Sequence, residues 1–128
     1  MIILLDTCTF LWINSEVEKL SEEARKVYAD PANDVYLSSI SCWEVAVKYA
    51  LGRLRLPEPP AQFLPRRRQK CGIEPLPLDE ESALYVARLP KLHTDPFDRM
   101  LVCQAIVHGL TVLTPDEWIS RYSVRIIW

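Results

Sequence analysis

Short apolar runs alternate with longer helical patterns along this chain, and that alternation restricts its possible folds more than any other feature. β-branched or leucine-rich runs recur at residues 2–5, 35–38, 76–78, 111–113 and 124–127. Helical patterns lie between these runs, and strands that run parallel need long crossover connections of this kind. The sequence therefore predicts an α/β fold with a mostly parallel sheet of about five strands, covered by helices on both faces.

The helical segments can be placed from their apolar periodicity and their end signals. Helices are predicted at about residues 20–30, 41–52, 79–88 and 95–108, with a weaker segment near 60–70 and a short one after Thr114. Gly52 and Gly109 stand where helices are expected to end. The length of 128 residues suits one domain, spanning residues 1–128.

Composition excludes several classes of protein. The three glycines are isolated from one another, so neither a P-loop nor a glycine-rich dinucleotide turn can form. The four cysteines form no Cys-x-x-Cys motif and are expected to be reduced thiols in or near the core. The opening apolar run stops at Asp6, too early for a signal peptide or a membrane span, so a cytoplasmic protein without membrane contact is expected.

Four acids are expected to meet at the carboxyl edge of the predicted sheet. Asp6 ends the first strand, Asp116 follows the fourth, and Glu44 is placed in the first turn of the helix after the second. Asp98 opens the helix 95–108 and shares a face with an apolar stripe. Ligands bind at this edge of parallel sheets, which makes the four acids candidate functional residues.

Helix capping offers a second explanation for each acid taken alone. Ser41 to Glu44 and Thr114 to Glu117 fit capping boxes, Asp95 fits an N-cap before proline, and Glu44 can pair with Lys48 one turn on. Capping does not explain why Asp6 ends a central strand, or why Asp98 lies on an apolar stripe when Asp95 already caps that helix. The convergence of four acids at one edge favours a functional site.

Carboxylates crowded together raise one another's pKa unless a cation lies among them. Oxygen ligands without a well-placed His or Cys favour magnesium or manganese over zinc. Such ions can activate water for phosphodiester hydrolysis, and no general-base histidine is then required. For His93 and His108 a structural or surface role is therefore favoured over catalysis.

Four segments together resemble the VapC-like PIN-domain toxins. They are Asp6-Thr7, the run from Ser41 to Lys48 followed by Gly52-Arg53-Leu54, the run from Asp95 to Leu101, and Thr114-Pro115-Asp116 closing on Arg121-Tyr122. The resemblance implies a three-layer α/β/α sandwich and a divalent-metal endoribonuclease, the toxin of a type II toxin-antitoxin pair. It also implies a cognate antitoxin, whose peptide crosses the helices before and after segment 41–52, and a homodimer.

The resemblance also implies roles for individual residues. Asp6, Glu44, Asp98 and Asp116 match the family's catalytic acids, and metal ligation carries over to Asp6, Asp98 and Asp116, with Glu44 often acting through water. Thr7 and Thr114 resemble hydroxyls that orient the carboxylates. Asp95 belongs to an Asp-Pro-Phe-Asp-Arg pattern, in which it would contact the metal ligands rather than the metal. Capping or strand-end bonding explains Thr7, Thr114 and Asp95 equally well. Cys8 stands where relatives frequently carry Asn, Ser or His.

A basic cluster supplies candidate contacts to RNA phosphates. Arg66, Arg67 and Arg68 form the densest charge run, joined by Lys48. Such a run is more often a solvated helix face, but beside a nuclease site phosphate binding becomes the better hypothesis. Among the tryptophans, Trp43 is expected to be buried in the core because Val47 and Leu51 extend its face.

Three alternatives compete with the nuclease hypothesis. A haloacid-dehalogenase-type phosphatase needs a second aspartate where Cys8 stands, and a receiver domain needs a phosphoacceptor that Leu78-Asp79 imitates poorly. The third is a catalytically silent PIN-like module that binds RNA or protein. The presence of all four acids argues against it, because a silent module has no electrostatic reason to keep them together.

Overall fold

The computed structural model describes residues 1–128 and consists of five strands and six α-helices. The strands are β1 (Ile2–Leu5), β2 (Asp34–Ser38), β3 (Glu74–Leu76), β4 (Thr111–Leu113) and β5 (Arg125–Ile127). The helices are α1 (Thr7–Ser15), α2 (Glu22–Ala29), α3 (Ser39–Ala50), α4 (Pro60–Lys70), α5 (Glu80–Tyr85) and α6 (Pro96–His108). Single 3-10 turns occupy Val17–Lys19, Val86–Arg88 and Ile119–Arg121.

All five strands are parallel, in the order β3-β2-β1-β4-β5. The predicted α/β sandwich around a five-stranded parallel sheet is therefore confirmed. Because every strand points the same way, the carboxyl ends of β1, β2 and β4 lie at one edge, and the chain enters α1 and α3 directly from that edge. This edge is where the candidate site is built.

Two apolar cores flank the sheet, one on each face. Side chains of β1 alternate between them, with Ile3 and Leu5 on one face and Leu4 on the other, all fully buried. The first core adds residues of α1, α2 and α4, including Phe10, Ala24, Phe63 and Leu64. The second adds the buried face of α6 and the segment after β4, including Leu101, Val102, Ile119 and Tyr122.

Helix α1 was not predicted, and the reason lies in its composition. Its sequence is rich in threonine and aromatic residues, which favour strands, and its apolar residues do not form a single stripe. Asp6 nevertheless caps it, because Asp6 Oδ1 accepts a hydrogen bond from the backbone N–H of Thr9 at 2.8 Å. Asp6 therefore both ends β1 and caps α1, and the expectation that capping does not explain Asp6 is wrong.

The start of α3 also differs from the prediction. Ser38, not Ser41, is the N-cap, since its hydroxyl accepts a hydrogen bond from the N–H of Ile40 at 3.0 Å. Ser41 is buried within the helix, and Glu44 lies in the second turn rather than the first. The proposed capping box at Ser41 is therefore wrong, and capping no longer explains Glu44.

Other predicted boundaries hold more closely. Asp95 caps α6, and Gly109 ends that helix in a left-handed conformation with φ of 66°, as expected. Strand β3 begins two residues earlier than predicted, because as an edge strand it accommodates Pro75 in its pairing with β2. The segment after Thr114 forms only the 3-10 turn Ile119–Arg121.

None of the six helices combines the length and the apolar character that a bilayer crossing requires.

Candidate active site

Asp6 occupies the centre of the site, at the carboxyl end of the middle strand. Only 4% of the residue is exposed. Its carboxylate accepts hydrogen bonds from the Thr9 N–H and from the hydroxyl of Thr114, which follows the neighbouring strand β4. Burial raises the pKa of the Asp6 carboxyl, and the hydrogen bonds from Thr114 and Thr9 oppose that rise.

Cys8 lies beside Asp6 on the first turn of α1. Its Sγ is 3.4 Å from Asp6 Oδ1 and 3.5 Å from Oδ2, so the thiol donates to the carboxylate. Burial and then the negative charge of Asp6 raise the pKa of Cys8 to about 12, which keeps the thiol protonated. Cys8 therefore supplies a weak donor to Asp6. None of the four cysteines forms a disulfide, as predicted.

Glu44 approaches the same edge from α3 and is 6% exposed. Its Oε1 lies 2.7 Å from the hydroxyl of Thr7, which is also 2.9 Å from Ser41 Oγ. A hydroxyl has one proton and an ionised carboxylate only accepts, so Thr7 donates to Glu44. The other oxygen, Oε2, pairs with Lys48 as predicted, and this hydrogen bond raises the pKa of Lys48.

Asp98 lies in the first turn of α6, with its side chain 19% exposed. The cap residue Asp95 positions this turn, because Asp95 Oδ1 accepts from the N–H groups of Phe97 at 2.9 Å and Asp98 at 3.1 Å. The pKa of the Asp98 carboxyl is raised to about 7, first by burial and then by the negative charges of Asp95, Asp116, Glu44 and Asp6. The predicted acids therefore share one electrostatic environment.

Asp116 completes the group from the loop after β4. Its backbone N–H donates to the Thr114 hydroxyl at 3.0 Å, and its Oδ1 accepts from the N–H groups of Trp118 at 2.7 Å and Ile119 at 3.2 Å. Asp116 Oδ2 makes no hydrogen bond within the chain. An open cavity beside it is lined by Leu92, His93, Thr94, Asp95, Asp98, Asp116 and Trp118.

His93 is the site residue that the sequence did not reveal. Its Nε2 lies 3.3 Å from Asp98 Oδ2 and its Nδ1 lies 2.7 Å from the Tyr122 hydroxyl, while its ring stacks parallel to that of Trp118. The surface alternative weighed for His93 is therefore wrong, since the side chain contacts a site acid. No periodic pattern could have located it, because it lies in the irregular segment before α6. His108, by contrast, pairs with Asp79 away from the acids.

The donor set suits a hard divalent cation. The acids supply oxygen ligands. Burial, and then the negative charges of the neighbouring acids, raise the pKa of Asp98 to about 7, and a bound cation would offset the repulsion among these charges. No three acidic, histidine or cysteine side chains stand close enough to one another to form a metal cage.

The predicted RNA-contact residues already have partners within the chain. Lys48 pairs with Glu44, and Arg66 pairs with Glu58 on the segment before α4. Arg67 Nε donates to Asn14 at 2.7 Å, and Arg68 donates to the carbonyl oxygen of Ile73 at 3.4 Å. Of the four, Lys48 alone contacts a candidate catalytic acid.

Trp43 is not in the core. Its residue is 56% exposed, and its ring meets that of Phe97 edge to face, with centroids 5.1 Å apart. The prediction of burial is therefore wrong. Val45, two positions further along α3, is buried instead, and it shares the inward face of the helix with Ile40, Ser41 and Glu44.

Together, the parallel sheet and the acids at its carboxyl edge define an α/β protein with a group of carboxylates at that edge. The chain matches the model of the PIN domain over residues 3–124 and belongs to the PIN-domain family.

One curated relative and several solved structures are similar to this chain. Over 57 residues it is 44% identical to Ribonuclease VapC16 of Mycobacterium tuberculosis, a match that covers 44% of this chain and 40% of that protein's length. Its fold resembles that of VapBC2 from Rickettsia felis bound to a promoter DNA fragment, with a TM-score of 0.73 and 16% identity over 99% of this chain and 98% of that one. DNA-bound VapBC from Salmonella typhimurium gives a TM-score of 0.67 and 21% identity, with 99% and 97% covered.

Proposed function

We propose that the protein is a divalent-metal-dependent endoribonuclease that hydrolyses RNA phosphodiester bonds, acting as the toxin of a type II toxin-antitoxin pair. The observation that carries the proposal is the placement of Asp6, Glu44, Asp98 and Asp116 at the carboxyl edge of the sheet, where burial and the surrounding acids raise the pKa of Asp98. Such a concentration of negative charge is unfavourable in the free protein and becomes favourable around a cation. Similarity to Ribonuclease VapC16 supports RNA as the substrate.

Asp6, Asp98 and Asp116 would hold magnesium or manganese, with Glu44 contributing through water. When bound, the metal supplies an activated water and stabilises negative charge on the phosphate oxygens. The protein's own contribution is to orient the carboxylates. Thr114 donates to Asp6 and Thr7 donates to Glu44, while Asp95 fixes the first turn of α6 and with it Asp98.

Lys48 is the basic side chain best placed to meet the substrate. Its ammonium pairs with Glu44 and lies in the field of Asp95 and Asp98, next to where a phosphate must approach. Arg66, Arg67 and Arg68 on α4 extend the basic surface beyond it.

Changing these three arginines to Glu is expected to weaken RNA binding and flatten its salt dependence, measured by filter binding across a salt series. Unchanged binding at low salt would refute the α4 contribution.

An antitoxin partner is proposed by analogy with the VapBC complexes. A groove between α1 and the segment before α4 is lined in part by Leu11, Trp12, Leu54, Leu56 and Phe63, and suits an apolar peptide. Expression of the toxin alone is expected to arrest bacterial growth, and co-expression of the antitoxin to restore it. Trp12→Glu should abolish the rescue but not the arrest.

A homodimer is also proposed, which sedimentation analysis would test.

The decisive experiment incubates purified, antitoxin-free protein with total RNA in manganese or magnesium, and then in EDTA. Cleavage should require the metal and should be lost in Asp6→Asn and Asp98→Asn. Asp34→Asn is the matched control, because Asp34 is exposed at the opposite, amino-terminal end of β2. Cleavage that persists in EDTA, or that survives both site substitutions, would overturn the proposal.

The alternative is a catalytically silent PIN-like module that binds RNA or protein. It predicts RNA binding without cleavage in the same assay, and Asp98→Asn would then leave binding unchanged or strengthen it. The nuclease proposal instead predicts that wild type shortens the RNA over time while Asp98→Asn binds it intact.

A further inference from the structure

We infer that His93 is a positioning residue for Asp98, held by Tyr122, Arg99 and Trp118 as the neutral tautomer that carries its proton on Nε2. The inference rests on the proposed function, since it assigns a role within the same site. It goes beyond the four acids because it assigns a role to a residue that holds one of them in place.

The guanidinium of Arg99 can only donate hydrogen bonds. Arg99 Nη1 donates to the Tyr122 hydroxyl at 3.1 Å and to the carbonyl oxygen of Pro90 at 2.9 Å. It thereby fixes both the tyrosine and the segment that leads to His93. The Tyr122 oxygen accepts this hydrogen bond through one lone pair, so its own proton must point toward a different acceptor.

The acceptor for that proton is His93 Nδ1, 2.7 Å away. Tyr122 is 5% exposed, so its hydroxyl needs an acceptor within the chain. If Nδ1 carried a proton, the tyrosine proton would have no acceptor among these contacts. Nδ1 is therefore unprotonated, and the proton of the neutral ring is on Nε2.

Nε2 then donates to Asp98 Oδ2 at 3.3 Å, and Oδ1 is left without a hydrogen bond in the chain. The ring cannot swing away easily, because it stacks on Trp118 at a centroid distance of 5.8 Å and an interplanar angle of 1°. The backbone N–H of Trp118 donates a hydrogen bond to Asp116 Oδ1 at 2.7 Å. One connected chain of contacts thus runs from Asp116 through Trp118 and His93 to Asp98. It fixes the positions of the two candidate metal ligands, Asp98 and Asp116, relative to each other.

The first test reads the tautomer directly in the metal-free protein. Long-range proton–nitrogen NMR of the His93 ring at pH 8 should show a protonated Nε2 and an unprotonated Nδ1. In Tyr122→Phe, which lacks the hydroxyl, His93 should no longer be restricted to that form. A wild-type ring protonated on Nδ1 would overturn the inference without any need for a variant to fold.

The second test measures manganese binding by calorimetry in two variants with different hydrogen-bonding ability. His93→Phe keeps a flat ring against Trp118 but loses the donor, and should weaken binding by about 10- to 100-fold. His93→Gln keeps an N–H donor and should recover most of the affinity. His108→Gln is the matched control, because His108 makes a similar contact to Asp79 at 2.7 Å and should bind as wild type does.

Thermal unfolding of each variant separates positioning from general stability. Equal losses in His93→Phe and His93→Gln, or wild-type affinity in His93→Phe, would overturn the positioning role. Absence of manganese binding in the wild type would instead overturn the proposed function, while the NMR result would still decide whether the hydrogen-bonded tautomer exists.

Discussion

The two halves of the acidic site are built differently. Asp6 and Glu44, here called the buried pair, are 4% and 6% exposed and accept hydrogen bonds from neighbouring hydroxyl groups of Thr114 and Thr7. Asp98 and Asp116, the open pair, line a cavity that reaches solvent. The buried pair is satisfied by the fold itself, whereas each member of the open pair keeps one carboxylate oxygen without a partner in the chain.

This difference separates two tasks that a metal site must perform. Hydroxyl donors orient the buried pair before any ligand arrives, so little reorganisation is needed there. The open pair retains free oxygens, and burial together with the negative charges of the other acids raises the pKa of Asp98. Under the proposed function, this pair would supply most of the electrostatic driving force for cation binding. The predictions below test this division, beginning with the largest expected effect.

Asp98→Asn should reduce RNA cleavage at least about a hundredfold, because several kcal/mol of charge stabilisation by a metal would be lost. The same substitution should stabilise the metal-free protein at pH 8, since it removes the repelled charge. Initial cleavage rates and urea unfolding measure the two effects. A loss of both activity and stability would contradict the assignment of repulsion to the open pair.

Stability of the metal-free protein should fall as pH rises from about 4 through about 7. Asp98 has a pKa near 7 in the folded state against 3.8 as a model value, so between these values the folded state binds more protons than the unfolded state. The contribution is up to about 4 kcal/mol and smaller after solvent screening. Urea unfolding across this range should show the slope in wild type and a weaker one in Asp98→Asn. Equal slopes would show that other groups cause it.

Thr114→Val should destabilise the protein by about 1–3 kcal/mol, because the buried Asp6 carboxylate loses its hydroxyl donor. Thr7→Val should have a smaller effect, since Glu44 keeps its pairing with Lys48. Thr94→Val, at an exposed position beside the open pair, is the control. Denaturant midpoints measure all three. If Thr94→Val destabilised the protein as much as Thr114→Val, the proposed distinction between the buried pair and the open pair would be wrong.

Lys48→Gln should produce the smallest change, below about 1 kcal/mol, because the Lys48 side chain is 45% exposed and its ion pair is screened. Removal of this cation leaves the acids more strongly repelled, so the destabilisation should be greatest at low salt and should vanish near 1 M. Unfolding at two salt concentrations measures it. A loss that persists in high salt would indicate packing rather than charge.

The sequence was sufficient to predict the parts of the site that follow from local rules. Asp6 after a buried strand and Asp95 before a proline-initiated helix both occupy the positions expected of them, and the sheet follows from five apolar runs. These features depend on strand direction and helix capping, which act over a few residues. Cys8 lies beside Asp6, at the position that the resemblance to VapC-like toxins had singled out.

The features that escaped prediction depend on contacts between distant segments. His93 joins the site through Tyr122, 29 positions away, and no local pattern signals that pairing. Helix α1 forms despite weak intrinsic propensity because Asp6 caps it and Phe10 packs in the core. Trp43 is exposed because the inward face of α3 carries polar Ser41 and Glu44 beside Ile40 and Val45, so the apolar pattern does not mark the buried face.

The shared charge of the four acids can be measured most directly by carbon-13 NMR of the Asp98 carboxyl group through a pH titration. In the metal-free protein the signal should titrate near pH 7, and saturating magnesium should move the midpoint well below that value. A midpoint near 4 in the metal-free protein, unchanged by magnesium, would contradict the account.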